Sequence, residues 1–351
     1  MASSGDRRPQ CSTPLPRPPD VGHLTPGRQR GILQGSAKWV NGTVLRYYFF
    51  DEEPEPGWVG GSEQQDVVRR SFQQWKDLGI GLDFEEVSDR RDAEVRIGFL
   101  PGDGSWSYIG REVLQAGADE RTMNFGWSLT QDDYGLTTAL HEIGHTLGLP
   151  HEHQNPFAGI VWNEEAVYAE FAGGPNFWPP QDTYSNVLER LNPRAVEGSR
   201  WDPDSIMEYE FGAGLIVAPE AYRDGVFPPG TISEVDREWV RKWYPGGPPA
   251  PRETEPFRSI PLPLKPAEQA EFSISPPESR EYTMATFGTA DTVIVLFEEV
   301  EGQLRYVAGA DDSGANENAS LSVKLFQGRR YVLRVRLQWV GGSGTTAVMY
   351  W

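Results

Sequence analysis

The segment Leu140–His153 constrains the fold of this chain more than any other stretch. It reads Leu-His-Glu-Ile-Gly-His-Thr-Leu-Gly-Leu-Pro-His-Glu-His and contains four of the chain's five histidines. On a helix, His141 and His145 lie one turn apart, about 6 Å along the axis and nearly on the same face. Two imidazoles placed in this way can bind one Zn²⁺.

The third histidine of the pattern predicts that this helix ends abruptly. If the helix continued, His151 would lie about 15 Å along the axis from His141. Gly148 can adopt the left-handed conformation that ends a helix, and Pro150 cannot continue one. We therefore expect a helix over 136–147, a stop, and a return of the chain. Three neutral histidines, His141, His145 and His151, would then bind zinc and leave one position for water.

Glu142 lies about 100° around the predicted helix from His141, beside the metal. That position suits a general base acting on water better than a metal ligand. The alternative is a core helix with two hydrogen-bonded histidines, which the short HExxH pattern alone would allow. The added glycine and His151 make that alternative poor. His153 follows His151 too closely to bind the same ion, so we place it at the surface or against the ligands.

These residues resemble the zinc motif of the metzincin metallopeptidases, and within that group the astacins. Ser205–Tyr209, with the sequence Ser-Ile-Met-Glu-Tyr, resembles the metzincin Met-turn. The resemblance implies that Met207 lies beneath the zinc site. It also implies that Tyr209 is a catalytic residue, which binds the metal at rest and donates a hydrogen bond in the transition state. Glu152, directly after the third histidine, also matches astacins.

The chain departs from the astacin pattern at several points. Glu208 stands where astacins usually have histidine, and Leu149 stands where they have phenylalanine. Astacins also carry two disulfides, which the single cysteine of this chain cannot form.

Charge and hydropathy exclude some functions. The formal net charge of −19 argues against binding to nucleic acid, which requires a basic surface. No apolar run reaches the roughly 18 to 20 residues needed to span a membrane. The first 30 residues are polar and proline-rich, without the apolar core of a secretion signal. The metzincin resemblance implies an extracellular protein, and a cytoplasmic protein is the alternative.

Residues 1–35 are predicted to form an irregular N-terminal arm. The stretch Pro-Gln-Cys-Ser-Thr-Pro at 9–14 has a faint similarity to the cysteine switch, in which the thiolate of a pro-segment blocks a catalytic zinc. The alternative is an inert Cys11 thiol in a flexible tail.

We expect an α+β metzincin-type catalytic domain in residues 36–244, with a twisted mixed sheet, the zinc helix and an irregular lower subdomain. Strands are predicted at 43–50, 82–87, 93–100 and 122–127. Helices are predicted from Ser62 to Leu78, at 163–171 and 182–191, and from Ser233. The resemblance implies that the strand at 122–127 forms the sheet edge above the cleft and pairs with the substrate, although an interior strand is the alternative.

A proline-rich linker is predicted at 245–270 and an all-β sandwich domain at 271–351, where apolar residues alternate with period two. The sandwich weakly resembles the bacterial pre-peptidase C-terminal domain around 290–293 and 310–314. Asp311 and Asp312 could bind Ca²⁺, and a polar hairpin loop is the alternative.

The leading functional hypothesis is a zinc endopeptidase that hydrolyses protein or peptide substrates. Zinc would activate a water, Glu142 would accept its proton, and Tyr209 would stabilise the oxyanion. The alternatives are a non-catalytic zinc-containing module that binds protein or glycan, and a zymogen held inactive by residues 1–35.

Overall fold

The computed structural model describes residues 9–14, 38–39, 41–51, 56–193, 196, 200–246, 251–265, 268–311, 314, 318–338 and 343–351. The chain forms two compact units. The first takes residues from the ranges 1–16, 46–78 and 85–238, and the second takes residues from 17–45, 79–84 and 239–351. Mixed α/β structure precedes an additional all-β region, as the sequence predicts.

The first five strands of the chain form one sheet. Its strands are β1 (Val44–Phe49), β2 (Asp83–Glu86), β3 (Val95–Gly98), β4 (Trp106–Ser107) and β5 (Met123–Asn124), in the order β2-β1-β3-β5-β4. Strand β3 is parallel to both β1 and β5, whereas β4 is antiparallel to β5. The sheet is therefore mixed, and all four strands predicted for it are present.

The strand predicted at 122–127 is not the sheet edge that the resemblance implies, and the alternative of an interior strand is correct. The predicted edge strand at 122–127 contains β5, which lies between β3 and β4. The edge strand beside β5 is β4, a strand of two residues that the sequence pattern does not predict, and β2 forms the opposite edge. An alternating pattern cannot be recognised over two residues, and this explains the error.

Two helices pack together in the first unit. Helix α1 (Ser62–Lys76) buries an apolar face that includes Val68, Phe72 and Trp75. Helix α2 (Tyr134–Thr146) carries the first two motif histidines. The indole Nε1 of Trp75 donates a 3.1 Å hydrogen bond to the carbonyl of Leu140. This bond ties α1 to the helix that bears the histidines.

The chain after α2 consists of short elements. They are β6 (Val161–Trp162), α3 (Glu164–Ala172), α4 (Pro180–Thr183), a π-helical turn (Tyr184–Leu188), β7 (Ile216–Ala218) and α5 (Glu234–Trp243). Strands β6 and β7 pair antiparallel. Short 3₁₀ turns occur at Pro56–Trp58, Arg90–Asp92, Gly110–Gln115, Glu152–Gln154 and Glu220–Tyr222. The predicted helix at 182–191 is thus a short α-helix followed by a single π turn.

The second unit contains two β-sheets. The strands are β8 (Arg252–Thr254), β9 (Ile260–Leu264), β10 (Gln269–Ile274), β11 (Arg280–Thr286), β12 (Thr292–Val300), β13 (Gln303–Asp311), β14 (Ser320–Leu325), β15 (Arg330–Leu337) and β16 (Gly344–Tyr350). One sheet has the order β13-β12-β15-β10-β8 and the other β14-β11-β16-β9. Buried side chains from both sheets form one core cluster, which includes Phe272, Met284 and Leu333. The result is the predicted all-β fold.

Part of the predicted linker is strand. Strands β8 and β9 lie within residues 245–270, and each pairs with a strand of one of the two sheets. Asp311 ends β13, and Asp312 lies outside the described residues, so the calcium site stays a prediction. Among the described residues, no helix combines the length and the apolar character needed to cross a bilayer.

One sheet of this unit carries a buried ion pair on the face opposite the shared core. Glu271 and Arg334 face each other across β10 and β15, with 2.6 Å between the carboxylate and Nε and almost no solvent exposure. The guanidinium also lies 4.5 Å from the ring centroid of Phe297. Substituting Glu271→Ala leaves a buried cation without its partner. We expect the free energy of unfolding to fall by about 3–5 kcal/mol, measured by chemical denaturation of the full chain.

The control for this prediction is Glu298→Ala. Glu298 pairs with Arg329 at 2.9 Å, but the Arg329 side chain is half exposed. Losing this pair should cost less than about 1 kcal/mol. Equal stability of the two variants would contradict the assigned role of the buried pair.

Candidate active site

The motif histidines lie together as the helix–stop–return prediction requires. Helix α2 ends at Thr146, and Gly148 follows with φ of 96°, in the left-handed region. The amide of Leu149 donates to the Gly144 carbonyl at 3.1 Å, which closes the helix end. The chain then returns, so that the Nε2 atoms of His145 and His151 are 3.1 Å apart.

Backbone carbonyls orient two of the imidazoles. The Nδ1 atom of His141 donates to the Ile206 carbonyl at 2.7 Å, and that of His145 donates to the Leu149 carbonyl at 2.7 Å. Because Nδ1 carries the proton, the Nε2 lone pair of each ring is free for a metal. Burial lowers the pKa of all three histidines, that of His141 to about 4. They are neutral imidazoles, the form that binds metal.

Cys11 completes the cluster. Its Sγ atom lies 3.2, 3.5 and 3.0 Å from the Nε2 atoms of His141, His145 and His151. The ligand atoms of these four residues all fall within 4.8 Å of one another. Four such atoms bonded tetrahedrally to zinc would be roughly 3.3–3.6 Å apart, given bonds of about 2.0–2.1 Å to nitrogen and 2.3 Å to sulfur. The donor set and its spacing therefore fit zinc.

The environment of the Cys11 thiol also favours a bound cation at this site. Burial, reinforced by the nearby Glu142, raises the pKa of the Cys11 thiol well above its usual value. A bound cation is what would hold this buried sulfur as a thiolate. The structure thus places Cys11 against the histidines, the arrangement expected for a blocking thiol and unlike an inert thiol in a free tail.

Glu142 is buried beside this cluster. Its carboxylate oxygens have no hydrogen-bond partner within the part of the chain that the structure describes. Burial raises the pKa of the carboxyl, and the neighbouring Cys11 side chain acts in the opposite direction. Glu142 also lines a cavity of about 190 Å³ together with His141, Cys11 and Tyr209. A carboxylate in such a cavity is available to accept a proton from a reactant.

The Met-turn, residues 205–209, packs against the helix that carries His141 and His145. Met207 is buried and its sulfur packs directly against Gly144, so a side chain at that position of α2 would have to displace it. The Met207 carbonyl accepts a hydrogen bond from the Glu152 amide at 3.0 Å. Asp236 accepts from the Ser205 hydroxyl at 2.7 Å and from the Ile206 amide at 2.8 Å. Asp236 thereby fixes the residue whose carbonyl orients His141.

Tyr209 lies within the cluster. Its hydroxyl donates to the Cys11 carbonyl at 2.6 Å and is 3.8 Å from Cys11 Sγ. The ring centroid is 4.5 Å from that of His151. The hydroxyl therefore faces the same space as the histidine nitrogens.

Two further residues, His153 and Glu208, lie near Tyr209. His153 is buried and donates from Nε2 to the Asn186 carbonyl at 2.9 Å, so the surface placement is wrong and contact with the ligands is the correct alternative. Its ring centroid lies 5.4 Å from that of His151. Glu208, where astacins have histidine, accepts hydrogen bonds from Trp201 Nε1 at 2.5 Å and from the Tyr209 amide at 2.9 Å.

The structure brings to this region several residues for which the sequence indicates no site role. The pattern Ser-Glu-Val-Asp at 233–236 predicts Asp236 only as part of a helix start. Asn176 and Asn186 hold the backbone beside Cys11 through their side-chain amides. Polar loop residues of this kind carry no spacing signal that would identify them.

Comparisons with known proteins agree with this geometry. Residues 38–158 match the family model of the peptidase M10 family, described as matrixin. Serralysin of Photorhabdus luminescens is 32% identical over 143 residues, which are 34% of this chain and 29% of that protein. Karilysin of Tannerella forsythia is 29% identical over 166 residues, 41% of this chain and 32% of that protein. The chain thus spans about a third of the length of these curated relatives.

A solved structure of myroilysin is also similar. The TM-score is 0.53 with 30% sequence identity, covering 60% of this chain and 97% of that one. The family match is to matrixin and does not single out the astacins, so the astacin assignment stays a prediction.

Zinc content provides the first test of this site. Full-length protein should bind one equivalent of zinc, and replacing His141, His145 and His151 together by alanine should abolish this binding, since only the Cys11 sulfur of the four donors remains. Metal analysis after dialysis measures the stoichiometry. His153→Ala is the control, because its Nε2 is occupied by the Asn186 carbonyl, and it should retain the metal. One equivalent of zinc on the triple variant would contradict the site.

Proposed function

Because residues 38–158 match the matrixin family model, we propose that this protein is a zinc-dependent endopeptidase kept latent by its own N-terminal segment. The observation that supports this proposal most strongly is the cluster of three Nε2 atoms beside the buried Glu142, with Cys11 Sγ at the position that a reactant would take. Such a set has the components needed for water activation together with a built-in inhibitor.

His141, His145 and His151 would hold the zinc. When bound, the ion supplies a Lewis acid that polarises a peptide carbonyl and lowers the pKa of a water toward 7. Glu142 would accept a proton from the water that attacks the peptide carbonyl carbon and would deliver it to the amine as the C–N bond breaks. The Tyr209 hydroxyl, which now bonds the Cys11 carbonyl, donates instead to the substrate carbonyl oxygen as it gains charge. This last role is the astacin-like part of the proposal.

The Glu142 role separates an enzyme from a zinc-containing binding module. A module that only binds protein or glycan has no use for a buried carboxylate beside the metal, and keeping one there costs desolvation energy. The substrates that we propose are proteins or peptides, and no nucleic acid takes part. Extracellular action remains a prediction from the metzincin resemblance, with a cytoplasmic protein as the alternative.

Glu142→Gln tests the general base. The amide keeps the size of the side chain but cannot accept the proton, so we expect turnover to fall by roughly 100-fold or more. Zinc content should be unchanged because Glu142 is not a ligand. Hydrolysis of casein, with the inhibitory segment removed after folding, measures the effect. Near-normal hydrolysis would refute the proposed role.

Cys11→Ala tests latency. Removing the thiolate frees the fourth ligand position, and we expect casein hydrolysis by the full-length protein to rise by about 10-fold or more, since a tethered ligand competes at an effective concentration of about millimolar. The control is Ser12→Ala, which keeps the thiol and the hydrogen bond from its own backbone amide to the Ser105 carbonyl. Equal activity of the wild-type protein and the Cys11 variant, both loaded with zinc, would contradict latency through this residue.

Tyr209→Phe tests the astacin-like role. The lost hydrogen bond forms chiefly in the transition state, so kcat should fall more than KM rises, by about 1–3 kcal/mol in activation free energy, with zinc content unchanged. Steady-state kinetics in the Cys11→Ala background provide the measurement. Unchanged kinetics would assign Tyr209 a packing role only.

A further inference from the structure

The N-terminal segment at residues 9–14 lies in a cleft beside His141 and Glu142, where many of its hydrogen bonds use its backbone. The amide of Ser12 donates to the carbonyl of Ser105, next to the edge strand β4, at 3.1 Å. The hydroxyl of Tyr134 donates to the Pro9 carbonyl at 2.7 Å. Further backbone contacts come from two asparagine side chains of the lower subdomain, Asn176 and Asn186. None of these contacts depends on a side chain of the segment, whose side chains contact the histidines through Cys11 Sγ and, at 3.5 Å from His151 Nδ1, through Thr13 Oγ1.

Asn176 binds both polar backbone groups of one residue. Its Oδ1 accepts from the Gln10 amide at 3.2 Å, and its Nδ2 donates to the Gln10 carbonyl at 3.0 Å. A carboxamide carries one acceptor and one pair of donors, so it is complementary to the N–H and C=O of any residue in a peptide. This contact recognises a peptide main chain without regard to its sequence.

Asn186 provides a second contact with the backbone of the segment. Its Oδ1 accepts from the Thr13 amide at 2.9 Å. The rest of the residue is already fixed, because Nδ2 donates to the Asp182 carbonyl at 3.0 Å and the Asn186 carbonyl accepts from His153. The acceptor is therefore oriented toward the cleft before any peptide arrives, which lowers the entropic cost of binding.

The two asparagines bracket the residue that meets the histidines. Gln10 and Thr13 flank Cys11, whose side chain reaches all three Nε2 atoms and whose carbonyl accepts from Tyr209 at 2.6 Å. A peptide held at the same two points must pass its intervening peptide bonds by Glu142 and Tyr209. Positioning of this kind is what a hydrolytic site needs from its binding residues.

We propose that Asn176 and Asn186 form a main-chain binding site for the peptide substrate, which the N-terminal segment occupies in the latent protein. This inference rests on the proposed function, because it assigns the same cleft to substrate once the segment has left. The recognised chemistry is the amide and carbonyl of an unfolded or loop segment of a protein. Asn176 and Asn186 are thus substrate-binding residues, with no part in the proton transfers.

The experiment uses the full chain with a recognition sequence for a specific protease placed at 18–24. The protein is folded intact, cut at that sequence, and freed of the N-terminal fragment. Binding is then measured with a fluorescent peptide of residues 9–14 that carries serine in place of Cys11, so that thiolate–metal binding does not contribute. Asn176→Ala should weaken this binding about tenfold, from the loss of two hydrogen bonds. N-methylation of the peptide at Gln10 should weaken wild-type binding and leave the Asn176 variant little affected.

Turnover of internally quenched peptides is the second measurement. Asn176→Ala should lower kcat/KM about tenfold, chiefly through KM, with zinc content unchanged. The matched control is Asn163→Ala, which loses an amide contact that caps α3 through the Ala166 amide but touches no residue of the segment. The control should lose stability and keep both peptide affinity and kcat/KM.

The outcomes separate the two proposals. Equal peptide affinity and equal kcat/KM for the wild-type protein and Asn176→Ala would overturn the main-chain binding site. Weaker peptide binding with unchanged kcat/KM would also overturn it, since the asparagines would then serve latency alone. A cut, zinc-loaded wild-type protein that cleaves no peptide would overturn the proposed function instead, whatever the affinity for the 9–14 peptide.

Discussion

The site depends on the convergence of three buried, neutral imidazoles on one point. Each imidazole taken out of water must satisfy both ring nitrogens, since an unsatisfied buried polar group costs free energy. The Ile206 and Leu149 carbonyls satisfy Nδ1 of two rings. The Nε2 atoms of His141 and His145 are then both acceptors, so neither ring can satisfy the other, and His151 Nε2 lies 3.1 Å from that of His145. A cation resolves this conflict, and the surrounding structure holds the rings in place for it.

The residues that hold these imidazoles in place come from distant parts of the chain. Asp236 in α5 binds the Ser205 hydroxyl and the Ile206 amide, and the Ile206 carbonyl in turn orients His141. Met207 fills the space that a side chain at position 144 would need. The indole of Trp75 ties α1 to α2. Packing contacts and hydrogen bonds between protein groups therefore hold the three rings in place.

In the two functional proposals, one cavity beside the histidines serves both inhibition and substrate binding. Cys11 contributes the ligand that a cation needs, while the backbone around it takes hydrogen bonds that any peptide could take. Inhibition then requires only one special side chain, and the remainder of the segment behaves as an ordinary peptide. The carbonyls that orient His141 and His145 lie outside the segment, so these two hydrogen bonds do not depend on it.

Local geometry makes part of this site predictable from the amino-acid sequence. The helix, its stop and the return follow from spacing, Gly148 and Pro150, so the convergence of the three histidines can be inferred from the sequence alone. The position of Cys11 cannot, because 130 residues separate it from His141 and only the tertiary path brings them together. The edge strand β4 is too short, at two residues, to carry a recognisable pattern. Strand β12 has apolar residues on both faces. Val293, Val295 and Phe297 lie on one face, whereas Ile294 and Leu296 lie on the other and belong to the core between the sheets. The sequence alone does not show which of the two faces is the core face.

X-ray absorption spectroscopy at the zinc edge tests the central claim most directly, because it reports the atoms bound to the metal in the intact chain. We predict three nitrogen ligands at about 2.0–2.1 Å and one sulfur at about 2.3 Å in the full-length protein. Removal of the N-terminal segment after folding should replace the sulfur by oxygen and leave the nitrogens unchanged. A shell without sulfur in the full-length protein, or one with fewer than three nitrogens after the cut, would contradict the proposed site.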